Sequence, residues 1–144
     1  METVGDRVII DTDILVDILR GVEESIGLVA ELERRGCILS TTIINALELY
    51  YGAYKSKRKQ RNIEAARRLL GRMIILGMGL RSAEKAGKIQ AELEARGEPI
   101  GMRDSMIGAI ALTRRYRLAT KNIEHFQRIE GLTLIKPYEG APMA

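Results

Sequence analysis

Three acidic residues that lie far apart in the chain, Asp11, Glu48 and Asp104, occur in otherwise apolar sequence contexts. Asp11 follows the apolar run "VII", and Glu48 is the one charged residue between positions 43 and 54. Small and apolar residues lie three, four and seven positions after Asp104. In a helix beginning at Asp104 these positions share one face with it, so the Asp104 carboxylate is directed inward together with them. Because an unpaired buried carboxylate is costly, each acid is expected to be paired or to have a chemical role.

A metal ion is one explanation for all three acids. If the carboxylates converge, their mutual repulsion raises the pKa of each unless a cation neutralises them. Mg²⁺ is the natural candidate, since it takes hard oxygen ligands and is commonly held by a few carboxylates. One cysteine and one histidine in the whole chain disfavour a zinc or copper site. Alternatively, each acid is satisfied separately, Asp104 by the N-terminus of its helix and Glu48 by a lysine or an arginine.

The elements that must position these acids follow from hydrophobic periodicity. Strands are predicted at residues 7–11, 37–40, 73–76, 117–120 and 132–136. Helices are predicted at residues 12–20, 23–35, 42–57, 62–72, 83–97 (capped by Ser82) and 104–116, and through Phe126. Since parallel strands need helical crossovers, the alternation predicts a three-layer α/β/α fold with a central parallel sheet of about five strands. Ligands bind beyond the carboxyl ends of such strands, and Asp11 lies at the end of the first one.

Length and composition predict one domain over residues 1–144. The longest near-apolar run, residues 73–80, is far shorter than the roughly 20 residues of a membrane span. The start "METVGDR" lacks the apolar segment of a secretory signal, so a cytoplasmic protein is expected. Cys37 is the only cysteine, which excludes an internal disulfide. The net charge of +4 permits a polyanionic partner but does not identify one.

Three blocks of the sequence resemble, in order, the signature blocks of PIN-domain ribonucleases of the VapC toxin type. They are "VIIDTDILVDILRG", "TTIINALELYYGA" and "RDSMIGAIALTRRYRLATKNIEHFQRIEGLTLI". In that family the first acid follows strand one in a D-T-N or D-T-D context, the second is the Glu of E-L-x-x-G, and the third opens a helix as D-x-x-I-A. The matching positions here are Asp11, Glu48 and Asp104, and a T-x-N-x-x-x-F pattern follows from Thr120.

The resemblance implies a Mg²⁺- or Mn²⁺-dependent endoribonuclease, the toxin of a toxin-antitoxin pair. It implies that Asp11, Glu48 and Asp104 hold the metal and, with Asn122, form the catalytic set. The metal would orient the scissile phosphate and lower the pKa of a water that attacks phosphorus in line. The resemblance also implies an RNA substrate, a homodimer, and a cognate antitoxin, a short amphipathic partner that supplies an arginine to the acidic pocket.

Several neighbouring residues have open roles. Many relatives carry a fourth acid in the region that reads "ATKNIEHF" here, where the matching positions are Asn122 and His125, with Glu124 between them, and this leaves the number of metals open. Asp13 either restores that charge or caps the following helix, and capping is favoured. Thr12 and Thr120 resemble hydroxyl positions that bind a phosphate or a carboxylate, although threonine also suits a strand end.

Basic residues offer further candidates for RNA contact. Arg103 and Lys121 adjoin the predicted site and are candidates for binding RNA phosphate. The basic run at residues 55–61 follows Tyr50, Tyr51 and Tyr54, and basic and aromatic side chains together can bind single-stranded RNA. The favoured alternative is that the basic residues are solvated and that the tyrosines pack in the core or in a dimer interface. His125 is expected at the surface.

Other functions compete with a nuclease. "VIIDTD" also resembles the D-x-D block of haloacid-dehalogenase phosphohydrolases, with Asp11 as nucleophile and Asp13 as general acid, but the paired late aspartates of that family are missing. A receiver domain would need a phosphoacceptor after the third strand, where "MIILGMG" has none. A PIN-like module that binds RNA or protein without cleavage is the remaining alternative, and Asn122 favours it.

Overall fold

The computed structural model describes residues 6–137, and these residues form alternating strands and helices. The strands are β1 (Arg7–Ile10), β2 (Ile38–Thr42), β3 (Ile74–Leu76), β4 (Arg117–Ala119) and β5 (Leu134–Ile135). The helices are α1 (Thr12–Leu19), α2 (Glu23–Arg34), α3 (Ile43–Lys55), α4 (Lys59–Leu70), α5 (Leu80–Ala95), α6 (Met102–Arg114) and α7 (Ile123–Phe126). The N-terminal start discussed above lies mostly outside the described residues, and one domain over residues 1–144 stays a prediction.

The sheet has five strands in the order β3-β2-β1-β4-β5, and every pairing is parallel. This arrangement confirms the predicted fold class. β1 is central and buried on both faces, which explains why Val8, Ile9 and Ile10 read as an uninterrupted apolar run. All the carboxyl ends lie at one edge of the sheet, so side chains that follow different strands can meet there.

Each face of the sheet is covered by its own hydrophobic core. One core joins Val8 and Ile10 of β1 to α1, α2, α3 and α4, and the other joins Ile9 to α5, α6 and α7. Within residues 6–137, every helix is too short or too polar to cross a lipid bilayer.

Two predicted helix caps differ from the structure. α5 begins at Leu80, earlier than predicted, so Ser82 lies inside its first turn and is hydrogen-bonded to Thr113 (2.9 Å between hydroxyl oxygens) instead of capping. α1 is capped by Asp11, whose side chain accepts the Thr12 N–H, so the prediction that Asp13 is the cap was wrong. α3 is capped by Thr42, whose hydroxyl accepts the Asn45 N–H.

Candidate active site at the carboxyl ends of the strands

Asp11 follows β1 and is buried, with 2% of its surface exposed. Its Oδ1 accepts hydrogen bonds from the Thr12 N–H (2.7 Å), Asn45 Nδ2 (3.0 Å) and Arg103 Nη2 (2.8 Å). Its Oδ2 accepts one from the Thr120 hydroxyl (2.7 Å). A strand can therefore end on this carboxylate because four donors replace the water that burial removes.

The structure brings the three predicted carboxylates together around the guanidinium of Arg103. Nε lies 2.7 Å from Glu48 Oε2, and Nη2 lies 2.8 Å from both Glu48 Oε1 and Asp11 Oδ1. Nη1 lies 2.6 Å from Asp104 Oδ1. Arg103 and Asp104 lie in the first turn of α6, Glu48 lies in α3, and Asp11 follows β1. Three separate parts of the chain therefore contribute to one ionic cluster.

The charges in this cluster stabilise one another. Burial disfavours the charged form of Glu48, but hydrogen bonds from Arg103 and the Thr12 hydroxyl outweigh it and hold its pKa below the ordinary value. Burial likewise opposes the charge of Arg103, yet Glu48, Asp11 and Asp104 raise its pKa above the ordinary value. The guanidinium is therefore a fixed positive charge at the centre of the site.

Asn122 and His125 contact the far oxygen of Asp104. Asn122 Nδ2 lies 3.4 Å and His125 Nδ1 lies 3.0 Å from Asp104 Oδ2. Asn122 thus presents its amide nitrogen, and not its carbonyl oxygen, to the carboxylate. The expectation of a surface His125 was incomplete, because its side chain is 42% exposed but also forms one wall of the site.

Asp13 lies two residues after Asp11, in the first turn of α1. Its Oδ2 accepts the backbone N–H of Lys121 (3.0 Å), whereas its Oδ1 is buried without a hydrogen-bond partner. Burial, together with the neighbouring charge of Asp11, raises the pKa of Asp13 to about 6. Asp13 therefore adds a fourth carboxyl group near the three predicted ones.

The two threonines of interest contact carboxylates. The Thr12 hydroxyl donates to Glu48 Oε1 (2.6 Å), and the Thr120 hydroxyl donates to Asp11 Oδ2. Lys121 is directed elsewhere, because its Nζ pairs with Asp17 Oδ2 (2.8 Å). A cavity of about 550 Å³ opens beside Thr120 and Lys121.

Asn45 is a site residue that the sequence analysis missed. It is fully buried, and its Nδ2 donates to Asp11 Oδ1 and to Thr12 Oγ1 (2.8 Å) while its Oδ1 accepts from the N–H and hydroxyl of Thr42. The signal available in the sequence was Thr42-x-x-Asn45, a capping-box spacing just before a helix. That spacing identifies the cap but not the contact with Asp11.

The chemistry of the side chains suits a hard divalent cation. Within residues 6–137, no three His, Cys, Asp or Glu side chains are arranged to hold a metal ion, and Arg103 lies among the carboxylate oxygens. However, three carboxylates face one positive charge, and one oxygen of a fourth carboxyl group, Asp13 Oδ1, is buried without a hydrogen-bond partner. Carboxylate oxygens are the ligands that Mg²⁺ and Mn²⁺ prefer.

Comparisons with known proteins relate the chain to one family. The sequence model of the PIN domain matches residues 8–132. The tRNA(fMet)-specific endonuclease VapC of Salmonella typhimurium is 36% identical over 100 residues, covering 69% of this chain and 74% of that protein. The protein of the same name from Shigella flexneri is 32% identical over 127 residues, covering 88% and 94%. The structure of VapBC2 from Rickettsia felis bound to a promoter DNA fragment has a TM-score of 0.83 at 28% identity, covering 90% of this chain and 98% of that chain.

Proposed function

The chain belongs to the PIN-domain family and, within it, to the VapC ribonucleases, and we propose that it cleaves RNA with Mg²⁺ or Mn²⁺ held by Asp11, Glu48 and Asp104. The convergence of these three carboxylates at the carboxyl ends of the parallel strands is the observation that supports the proposal best. Family membership also sets aside the phosphohydrolase and receiver-domain alternatives.

When bound, such a metal supplies Lewis-acid activation of water and stabilises negative charge on phosphoryl oxygens. The protein positions the ligands. Thr120 and Asn45 fix the two oxygens of Asp11, the Thr12 hydroxyl orients Glu48, and His125 borders Asp104. Because the hydroxyls of Thr12 and Thr120 already donate to carboxylates, we assign them to ligand positioning and not to phosphate binding.

Two basic residues next to the carboxylates are the proposed contacts for RNA. Arg103 and Lys121 provide positive charge beside the carboxylates and are the candidates for contacting RNA phosphate. Asn122 completes the proposed catalytic set, where its amide can hold Asp104. Two curated relatives are named tRNA(fMet)-specific endonucleases, so initiator tRNA is the first substrate to assay.

A protein antitoxin is the proposed partner, since several similar solved structures are toxin-antitoxin complexes. A groove of about 720 Å³ leads away from Glu48 between α1, α3 and α4. Its floor includes Leu49 and Ala66, and four arginines contribute to its lining, at positions 20, 58, 61 and 68. This combination suits an amphipathic segment with acidic side chains.

A homodimer is also proposed, through the outer face of α3. Ile43, Leu47, Tyr51 and Tyr54 expose 50–66% of their surfaces there, whereas Tyr50 packs against the core. An exposed apolar stripe of this kind is typical of an interface. Leu47→Glu is expected to convert the protein to a monomer in light scattering coupled to size exclusion, and an unchanged mass would locate the interface elsewhere.

The nuclease proposal is tested with purified protein and initiator tRNA. Cleavage with Mg²⁺ or Mn²⁺ should stop in EDTA, and Asp11→Asn, Glu48→Gln and Asp104→Asn should each reduce the rate by at least about 100-fold, the upper range for loss of a metal's supporting residue. Glu31→Gln is the matched control, because Glu31 is also paired with arginines but lies on α2 away from the site. Circular dichroism verifies that each variant folds.

Intact RNA after incubation with well-folded wild-type protein and either metal would contradict the nuclease proposal. Retained RNA binding under those conditions would instead identify a non-cleaving RNA-binding module. Activity that survives all three substitutions would place the catalytic centre elsewhere.

A further inference from the structure

Arg103 occupies the point at which the carboxylates of the site converge. It uses Asp11 Oδ1, Asp104 Oδ1 and both oxygens of Glu48, all between 2.6 and 2.8 Å. The second oxygens of Asp11 and Asp104 are held from behind by Thr120 and His125. Every oxygen of these three carboxylates is therefore engaged without any metal.

The guanidinium only partly balances the charge around it. Three carboxylates contribute three negative charges and Arg103 contributes one positive charge, which leaves two negative charges in the cluster. A divalent cation therefore has a strong electrostatic reason to enter, but its ligand oxygens already form charge-assisted hydrogen bonds. The two cations compete for the same oxygens.

We propose that Arg103 is an internal competitor of the metal, which occupies the carboxylates in the metal-free protein and releases them when a divalent ion binds. This inference rests on the proposed function, because it concerns the metal at that same site. Arg103 suits such an exchange because its side chain is 32% exposed and long enough to turn toward solvent from the first turn of α6.

The exchange lowers the apparent affinity of the protein for metal. If the Arg103-bound form makes up about 90 to 99% of the metal-free molecules, the apparent Kd for metal is roughly 10- to 100-fold higher than that of the open site. Removing the guanidinium should tighten metal binding by that factor. It should also lower the Tm in EDTA, because the carboxylates then repel one another.

The experiment measures Mn²⁺ binding by isothermal titration calorimetry, without RNA. Arg103→Gln should lower the Kd for Mn²⁺ by roughly 10- to 100-fold, and Arg103→Lys, which keeps the charge but loses the planar fork, should give an intermediate value. Arg34→Gln is the control for loss of a positive charge, because Arg34 pairs with Glu31 on α2 and not with the three carboxylates. Its Kd should stay within about threefold of the wild-type value, since salt screens a charge outside the cluster.

A second readout follows the guanidinium itself. In the ¹H–¹⁵N spectrum, the Nε–H signal of Arg103, assigned by its loss in Arg103→Lys, should move toward the position of a solvated arginine as Mg²⁺ is added. Equal or weaker Mn²⁺ binding by Arg103→Gln, or an Nε–H signal that Mg²⁺ leaves in place, overturns the inference while the nuclease proposal stands. Absence of Mn²⁺ binding in both the wild type and Arg103→Gln overturns the proposed metal site itself.

Discussion

Asn45 is predicted to be the main structural support of the candidate site, and its replacement by alanine should destabilise the protein strongly. The side chain is fully buried between β2, α1 and α3, with 0% exposure. It donates to Asp11 Oδ1 (3.0 Å) and Thr12 Oγ1 (2.8 Å), and it accepts from the Thr42 N–H (3.2 Å) and hydroxyl (2.6 Å). Asn45→Ala removes all four hydrogen bonds at once.

The size of the effect follows from these contacts. A hydrogen bond between neutral groups contributes about 0.5–1.5 kcal/mol, and one to a charged group contributes about 1.5–3 kcal/mol. Asp11 is still held by Arg103 and Thr120 after the substitution, and local relaxation recovers part of the rest. We therefore expect the free energy of unfolding to fall by about 3 kcal/mol.

Urea denaturation in EDTA, followed by circular dichroism, measures this change without a contribution from metal binding. Asn62→Ala is the matched control, because Asn62 is half-buried in α4 and donates one hydrogen bond, to the Ser56 hydroxyl (2.8 Å). Its cost should stay below about 1 kcal/mol. A loss in Asn45→Ala no larger than that of the control would refute the role given to Asn45.

Two further substitutions test contacts outside the central cluster. The hydrogen bond from Lys121 lowers the pKa of Asp17, so the stability that this ion pair adds is present at neutral pH and is lost as the pH falls through the lowered pKa. Asp17→Asn should therefore lower the free energy of unfolding by about 0.5–1 kcal/mol in urea denaturation at pH 7, and the gap between variant and wild type should narrow below about pH 4. A gap that does not change with pH would contradict this. A Cβ at Gly108 would lie 2.5 Å from Cδ1 at the end of the Ile129 side chain, which must shift to make room, so Gly108→Val should cost about 1 kcal/mol by overpacking. The same change at exposed Gly87, where nothing lies within 4 Å, should cost little.

The fold could be predicted from the sequence because the strands of a parallel sheet are buried on both faces. Val8, Ile9 and Ile10 are each fully buried, so β1 reads as a continuous apolar run and contrasts with the helical spacing that follows it. The same contrast made Asp11 conspicuous as a charge at the end of a buried strand. Glu48 and Asp104 were conspicuous for a similar reason.

The partners of these acids could not be predicted in the same way. Arg103 was a candidate for phosphate binding because of its position next to Asp104, but its contacts with Asp11 and Glu48 span 92 and 55 residues of sequence. No local pattern records such a contact. For Ser82 a local pattern was present but misleading. Serine is a good capping residue, yet α5 begins at Leu80, two residues before Ser82, without a side-chain cap.

The site is arranged so that the fold does not depend on the metal that we propose it binds. Asp11 is satisfied by Thr12, Asn45, Thr120 and Arg103, all of which belong to this chain. A cluster of carboxylates would otherwise destabilise the metal-free protein by like-charge repulsion, and the guanidinium and the neighbouring hydrogen-bond donors offset part of that repulsion. It follows that EDTA should abolish cleavage while leaving the circular dichroism spectrum unchanged and lowering the Tm only slightly. Unfolding of the wild-type protein by EDTA would mean that Arg103 does not replace the metal in the way that its contacts indicate.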